Sequence, residues 1–170
     1  DEKDFLLFDL GGASIEISLV KNKKRVKSIS IPIGAVTLTQ KFDSSDKISS
    51  SQRKEMEEFI SSQLHRISWL PKSGLPVIGI GGTVRNLAKM HQRKTGYPLP
   101  KLHNYRLPVK ELFKMIDYLS TTSAHERENI SGLSEERTDI IIAGSLVIEQ
   151  LLELVNAEEL IISGCGLREG

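Results

Sequence analysis

The sequence predicts an α/β fold in which helices pack on a mixed, five-stranded β-sheet. Three observations lead to this fold class: three short strands in series between residues 5 and 31, a strand–glycine–helix unit at residues 76–93, and a final apolar strand at residues 160–163. Because hairpins join antiparallel strands and helices join parallel ones, the first series predicts an antiparallel meander. Parallel strands near residues 76–80 and 159–163 are expected to extend it.

The first three strands follow from hydrophobic alternation. Residues 5–10 form a short apolar run that ends at Gly11 and Gly12, and residues 14–20 then alternate between polar and apolar side chains. A polar turn follows, after which residues 26–31 alternate again. Period-two alternation is typical of half-buried strands, so strands are expected at about 5–10, 14–20 and 25–31.

Four helices follow from apolar spacings of three and four residues. The first begins near Ser49 and ends before Pro71, and the second runs from Thr83, a candidate N-cap, to about residue 93. The third has Pro108 in its first turn and is preceded by a predicted loop at residues 96–106. The last opens at Ser134, and its apolar stretch at residues 140–154 predicts a central, buried helix.

Composition indicates one domain over residues 1–170 and excludes several classes of protein. The 170 residues are 39% hydrophobic, enough for one ordinary core. Lysine and arginine number 23 against 22 acidic residues, so the net charge of +1 does not favour wrapping DNA or docking on anionic lipid. No apolar run approaches the roughly 20 residues that span a bilayer. The single cysteine, Cys165, fits a reducing compartment, and we expect a cytoplasmic protein.

Three glycine-bearing turns each follow a short apolar strand, at residues 9–16, 79–83 and 163–168. Glycine in such turns lets backbone N–H groups surround an anion without steric hindrance from a Cβ. A following helix, as after residue 83, adds the favourable end of a helix dipole. One glycine pair alone is more often a tight hairpin, so the hypothesis of a phosphate site rests on the three turns together.

Two acidic residues flank the first glycine turn. Asp9 ends an otherwise apolar strand, where an unpaired carboxylate is costly, so it should hold a cation or accept hydrogen bonds from the turn. Glu16 lies across the hairpin and can direct a second carboxylate to the same place. Two carboxylates beside a phosphate cradle suit Mg²⁺. The alternatives are a turn-capping Asp9 and a solvent-facing Glu16.

Four motifs in order carry a resemblance to a known family: Asp-Leu-Gly-Gly-Ala-Ser-Ile-Glu at 9–16, Gly-Ile-Gly-Gly-Thr at 79–83, Gly-Leu-Ser-Glu-Glu-Arg-Thr-Asp at 132–139 and Gly-Leu-Arg-Glu-Gly at 166–170. The chain resembles the exopolyphosphatase/guanosine pentaphosphate phosphatase (Ppx/GppA) family. That resemblance implies a ribonuclease-H-like lobe of the actin, sugar kinase and heat-shock ATPase superfamily. It covers the second, C-terminal lobe of the two-lobed unit, so we expect an excised piece. The first lobe, with its phosphate loop and the general base, would lie upstream.

The resemblance also implies which residues bind substrate. Asp9 and Glu16 would be catalytic and hold Mg²⁺, while phosphate would contact the two glycine loops and two arginines: Gly11, Gly12, Ala13, Ser14, Gly81, Gly82, Thr83, Arg85 and Arg137. Arg85 stands in the first turn of a helix, where a positive charge is disfavoured unless an anion is near. For Arg137 a surface ion pair is the alternative. The family's usual loop has glycine in place of Ala13 and threonine in place of Ile15.

The implied activity is metal-assisted hydrolysis of a terminal phosphoanhydride bond in inorganic polyphosphate or guanosine pentaphosphate, the latter a molecule of the stringent response. The 170-residue chain is expected to be inactive alone, its partner being the N-terminal lobe. The full-length protein is a candidate homodimer. Two other functions remain open: the ATP-binding half of a related kinase, which the motifs at 132–139 and 166–170 disfavour, and a non-catalytic alarmone-binding module. The sequence does not distinguish between the two substrates.

Overall fold

A computed structural model describes residues 3–71 and 73–164 as one six-stranded sheet with helices packed on it. The strand order is β3-β2-β1-β4-β6-β5. The strands are β1 (Phe5–Leu10), β2 (Ile15–Lys21), β3 (Lys24–Ile31), β4 (Val77–Ile80), β5 (Arg106–Pro108) and β6 (Glu159–Ile162), and the helices are α1 (Ala35–Phe42), α2 (Ser50–Leu64), α3 (Gly82–Thr95), α4 (Val109–Ser120), α5 (Ala124–Arg127) and α6 (Ile141–Val155).

The antiparallel meander is confirmed. Strand β2 pairs antiparallel with both β1 and β3, and all three strands lie within a residue of their predicted bounds. The β2–β3 connection is a two-residue turn in which Asn22 and Lys23 have φ angles of 51° and 64°. Two positive φ angles match the right-handed twist of the paired strands.

The parallel extension is confirmed too, but the sheet has one strand more than the predicted five. β4 pairs parallel with β1 and with β6. β5 pairs antiparallel with β6 and occupies residues expected to be a loop and a helix start. At three residues it is too short to show an alternating pattern. Pro108 consequently ends β5 and serves as the N-cap of α4, not as a residue of its first turn.

The central helix is confirmed, whereas its predicted start at Ser134 is wrong. α6 begins at Ile141, and 12 of its 15 residues are buried, among α1, α2, α3 and α4. Residues 135–137 instead form one turn of 3₁₀ helix. Helix α1 was not predicted, because three of its eight residues are threonine or valine and only Ala35, Leu38 and Thr39 are buried. Within residues 3–71 and 73–164, no helix has the length and apolar character that crossing a membrane requires.

One buried carboxylate joins the helical layer. Glu149 of α6 is 4% exposed and faces Arg53 of α2, whose guanidinium lies 3.1–3.2 Å from both carboxylate oxygens. Arg53 also donates to Glu57 and to Asp117 of α4, each at 2.7 Å. Burial raises the pKa of Glu149 to about 7, and the positive charge of Arg53 offsets only part of that effect. One arginine thus links three helices, and Glu153 adds a further nearby negative charge.

This arrangement predicts a specific pH dependence of stability. Because the pKa of Glu149 is raised from 4.5 to about 7 in the folded state, the folded protein binds one more proton than the unfolded chain between those values. The stabilisation is therefore complete below pH 4.5 and is lost as the pH rises towards 7. Relative to Glu149→Gln, we expect the wild-type free energy of unfolding to fall by about 1–3 kcal/mol across this window.

The measurement is urea unfolding of both proteins at ~pH 5 and ~pH 8. The control is Glu58→Gln, which removes an exposed carboxylate from α2. If the difference between wild type and Glu149→Gln were independent of pH, the Glu149 carboxyl would not be desolvated as described.

Candidate active site

The two predicted carboxylates lie directly opposite each other. Asp9 of β1 and Glu16 of β2 are register partners, so both side chains leave the same face of the sheet with Cβ atoms about 5 Å apart. The buried residues of β1, among them Phe8 and Leu10, point to the other face, into the core. The hairpin thus presents two acidic groups beside its own glycine turn.

Burial and nearby charges both shift the pKa of Asp9. Burial and the neighbouring Glu16 carboxylate raise the pKa of Asp9, and the charge of Arg85 partly counteracts them. Arg85 stands in the first turn of α3, so Asp9 is the anion near that helix terminus. Glu16 lies 3.6 Å from Arg25 of β3, and both side chains of this ion pair are more than a third exposed. Exposed pairs of this kind are weak and easily exchanged for another cation.

The two carboxylates are ligands of the type that Mg²⁺ binds. The described part of the chain contains no cluster of three or more histidine, cysteine, aspartate or glutamate side chains arranged to hold a metal ion. Zinc sites require such clusters, whereas Mg²⁺ binds through one or two carboxylates and completes its shell with water and phosphate oxygens. An added cation would also relieve the repulsion between Asp9 and Glu16 that raises the pKa of Asp9.

Helix α1 fixes the shape of the first glycine loop. The N–H groups of Ala35 and Val36 donate to the carbonyls of Gly11 and Gly12, at 3.0 and 2.9 Å. A Cβ on Gly34 would lie 2.3 Å from the Gly12 carbonyl oxygen, so the helix approaches this closely only because residue 34 is glycine. The loop carbonyls therefore face α1, and the loop itself remains exposed.

The amides of this loop divide into two groups. The N–H of Gly11 donates to the Ser14 carbonyl at 2.9 Å and closes the turn. The N–H groups of Gly12 and Ala13 have no acceptor among the described residues, which leaves them available to an anion. Among the predicted phosphate contacts of this loop, Gly12 and Ala13 thus offer free backbone donors, and the Ser14 N–H likewise has no acceptor among the described residues.

The second glycine loop lies against the first. β4 runs parallel to β1 with Asp9 opposite Ile80, so Gly81 follows directly beside Leu10. Gly81 has a φ of 124° and is the N-cap of α3, although Thr83 was predicted to cap this helix. Thr83 is inside the first turn and 1% exposed, and its hydroxyl packs against Gly144 of α6 without a hydrogen-bond partner in the described residues. Its side chain therefore points away from the open site.

The structure brings Arg137 to the second loop. A Cβ on Gly82 would lie 2.0 Å from the Arg137 guanidinium, so this arginine covers Gly82 from the 3₁₀ turn, not from the start of a long helix as predicted. Two buried residues that sequence analysis missed hold its segment. Asn86 accepts from the Ser134 N–H at 2.7 Å and donates to the Gly82 carbonyl at 2.8 Å. Arg127, fully buried, donates to the carbonyl of Thr138.

The two departures from the usual loop do not disturb the carboxylates. Ile15 is fully buried opposite Leu10 on the core face, so its side chain does not reach Asp9 or Glu16. Ala13 is exposed and has no positive φ, so its methyl group requires no strained backbone. Of the third glycine-bearing turn, at 163–168, the structure describes only residues 163 and 164, and the motif at 166–170 lies outside the described residues, as does Cys165.

Comparisons with known proteins show the family of the chain. Residues 1–170 match the model of the Ppx/GppA phosphatase family. The chain belongs to this family. Exopolyphosphatase 1 of Mycobacterium leprae is 28% identical over 165 residues, 95% of this chain and 48% of that protein. The bifunctional 3-dehydroquinate synthase/phosphatase of Fusobacterium nucleatum is 29% identical over 168 residues, 96% of this chain and 25% of that protein.

A solved Ppx/GppA structure confirms the fold. The enzyme of Aquifex aeolicus superposes on 99% of this chain with a TM-score of 0.88 and 29% identity, and this chain covers 56% of it. The predicted fold, that of the actin-like ATPase superfamily, is thereby confirmed. The chain spans about half the length of the mycobacterial and Aquifex members.

Asn86 provides a test of how the Arg137 segment is held. Asn86→Ala removes both hydrogen bonds and leaves the Gly82 carbonyl and the Ser134 N–H unpaired, which should lower the free energy of unfolding by about 1–3 kcal/mol. Asn129→Ala is the matched control, because Asn129 is exposed and its side chain has no partner in the described residues. Equal unfolding midpoints in urea for Asn86→Ala and the control would contradict the bridging role.

Proposed function

We propose that this chain is the phosphate- and metal-binding second lobe of a phosphatase that hydrolyses terminal phosphoanhydride bonds of inorganic polyphosphate, guanosine pentaphosphate or both. The observation that carries the proposal is the cross-strand pair Asp9–Glu16 beside two adjoining glycine loops. Membership of the Ppx/GppA family and the similarity to an exopolyphosphatase support it. A kinase half would use similar loops, but it would transfer the phosphate to a second substrate instead of water.

The residues of the chain have distinct roles in this proposal. Asp9 and Glu16 hold Mg²⁺, which, when bound, neutralises charge on the terminal phosphate. The N–H groups of Gly12 and Ala13 donate to phosphate oxygens, as preorganised donors do at sites of developing charge. Arg137 and Arg85 supply positive charge at the second loop, since guanidinium groups match phosphate geometry. The open surface of the first loop gives the substrate access.

We assign the hydrolytic water and its base to the first lobe of the two-lobed unit. The two carboxylates that the β1–β2 hairpin places beside the first glycine loop, Asp9 and Glu16, are both assigned to the metal. Since the Aquifex enzyme is nearly twice as long as this chain, we place the general base and a closing phosphate loop in the further part of the protein. Full closure is needed to align water and phosphate.

The isolated 170-residue chain is therefore expected to release negligible phosphate from polyphosphate or guanosine pentaphosphate, with or without Mg²⁺. The measurement is colorimetric phosphate release over hours, with a full-length exopolyphosphatase as the positive control. Robust Mg²⁺-dependent release by the folded chain would contradict the two-lobe assignment and the placement of the base.

Within a full-length protein that carries this lobe, Asp9→Asn should reduce turnover by several orders of magnitude, the scale of losing a key electrostatic group. The amide keeps the shape but removes the charge that attracts Mg²⁺. Stability should stay the same or rise, because the pKa of Asp9 is raised and a neutral group suits the site better. Glu16→Gln should have a smaller effect, since Glu16 reaches the site from across the hairpin, whereas Asp9 ends β1 directly at the glycine turn.

Turnover is measured against Mg²⁺ concentration, with thermal unfolding of the same sample. Asp117→Asn, on the exposed surface of α4, is the matched control and should keep normal turnover. Near-normal turnover of Asp9→Asn at ordinary Mg²⁺ would exclude the metal role, since asparagine is a good turn former and would preserve a purely structural cap.

A further inference from the structure

A second groove lies away from the carboxylates. It has a volume of about 560 Å³ and opens between the C-terminal half of α3, the middle of α4 and the loop at residues 129–131. This volume is in the range of small-molecule sites, about 300–1,000 Å³. Its nearest α3 residue, Met90, lies eight residues beyond Gly82, which is about 12 Å along the helix. We call it the Met90–Met115 groove.

The floor of the groove is apolar and polarisable. Met90 and Met115 are each 6% exposed and line it from opposite helices, and the half-buried Ile130 completes the floor. Tyr118 stands at the side with 59% of its surface exposed. Thioether sulfur makes favourable contacts with aromatic rings, and an exposed tyrosine face can stack on a planar ligand. Such a floor suits a flat aromatic group better than a hydrated ion.

The rim of the groove is positively charged. Arg93, Lys94 and Lys114 line it, and no carboxylate is among its described lining residues. Arg93 donates to the Ser131 hydroxyl at 3.0 Å, and Lys114 lies 3.7 Å from Glu111, an exposed and therefore weak pair. Three like charges around an apolar floor repel one another, and a bound anion would relieve that repulsion.

Asn129 adds a polar group that can both donate and accept. Its side chain is exposed and has no hydrogen-bond partner in the described residues. An amide of this kind pairs with the edge of a heterocyclic base, which presents a donor next to an acceptor. An acyl chain would make no use of this amide.

We propose that the Met90–Met115 groove binds a purine nucleotide, with the base on the methionine floor beside Tyr118 and the phosphate at Arg93, Lys94 and Lys114. The proposal is independent of the hydrolytic site, because none of the lining residues belongs to either glycine loop. The loop that closes the groove leads directly into residues 132–139, the segment that carries Arg137. A bound nucleotide would therefore lie next to a segment of the candidate active site.

The chain contains three methionines, which makes the test direct. With ¹³C-methyl methionine labelling, GMP is titrated into the 170-residue chain. The methyl signals of Met90 and Met115 should shift together, while the signal of Met56, fully buried on α2 and outside the groove, should stay in place. Guanosine and inorganic phosphate are titrated separately, and each should bind about tenfold more weakly than GMP, because each engages only half of the groove.

Matched variants localise the binding. Lys114→Ala should weaken GMP binding by about five- to tenfold through loss of one charged contact. The control, Lys54→Ala, removes an exposed lysine of α2 and should leave the titration unchanged. Asp9→Asn should also leave it unchanged, so failure of this proposal is distinguishable from failure of the proposed hydrolysis.

Three results would overturn the proposal. One is the absence of shifts at Met90 and Met115 at ~10 mM GMP, a concentration at which any useful affinity would be seen. Another is equal binding of inorganic phosphate and GMP, which would indicate charge attraction without a base site. The third is loss of the shifts in Asp9→Asn, which would place the nucleotide at the glycine loops.

Discussion

Two glycine loops form one site because two backbone segments approach each other closely. Parallel pairing of β1 with β4 places Gly81 next to Leu10, where a Cβ on Gly81 would lie 2.4 Å from the Leu10 carbonyl oxygen. The φ of 124° at Gly81 is likewise a conformation that other residues rarely adopt. Any side chain here would separate α3 from the end of β1. The positions of Arg85 beside Asp9 and of Arg137 over Gly82 both depend on this contact.

The electrostatics of the site follow from the same geometry. Two carboxylates on neighbouring strands repel each other, and burial raises the pKa of Asp9 further. The protein supplies cations close by, but Arg25 is exposed and Arg85 offsets only part of the effect. Two buried polar residues keep Arg137 in place, because Asn86 and Arg127 hold the segment on either side of it. These charges support the proposal that the site accepts both a cation and an anion.

The sheet could be predicted from the sequence because its strands carry clear local patterns, and the facing of Asp9 and Glu16 followed from the hairpin. Strand β5 could not be predicted, since three residues are too few to show an alternating pattern. The late start of α6 could not be predicted either, because residues 135–137 have the acidic composition that is typical of a helix start. His91 is 7% exposed and bonds to the Tyr105 hydroxyl at 2.5 Å, a buried contact that no local sequence pattern indicates. Asn86 and Arg127 were missed because their roles depend on contacts with segments distant in sequence.

The central claim, that Asp9 and Glu16 share a Mg²⁺ site, can be tested on the 170-residue chain itself. The pKa of the Asp9 carboxyl group is measured by ¹³C NMR in the absence and in the presence of saturating Mg²⁺. The account predicts a pKa above the ordinary aspartate value without metal, owing to burial and Glu16, and a marked fall when Mg²⁺ binds. A pKa of Asp9 that is the same with and without Mg²⁺ would contradict the shared metal site.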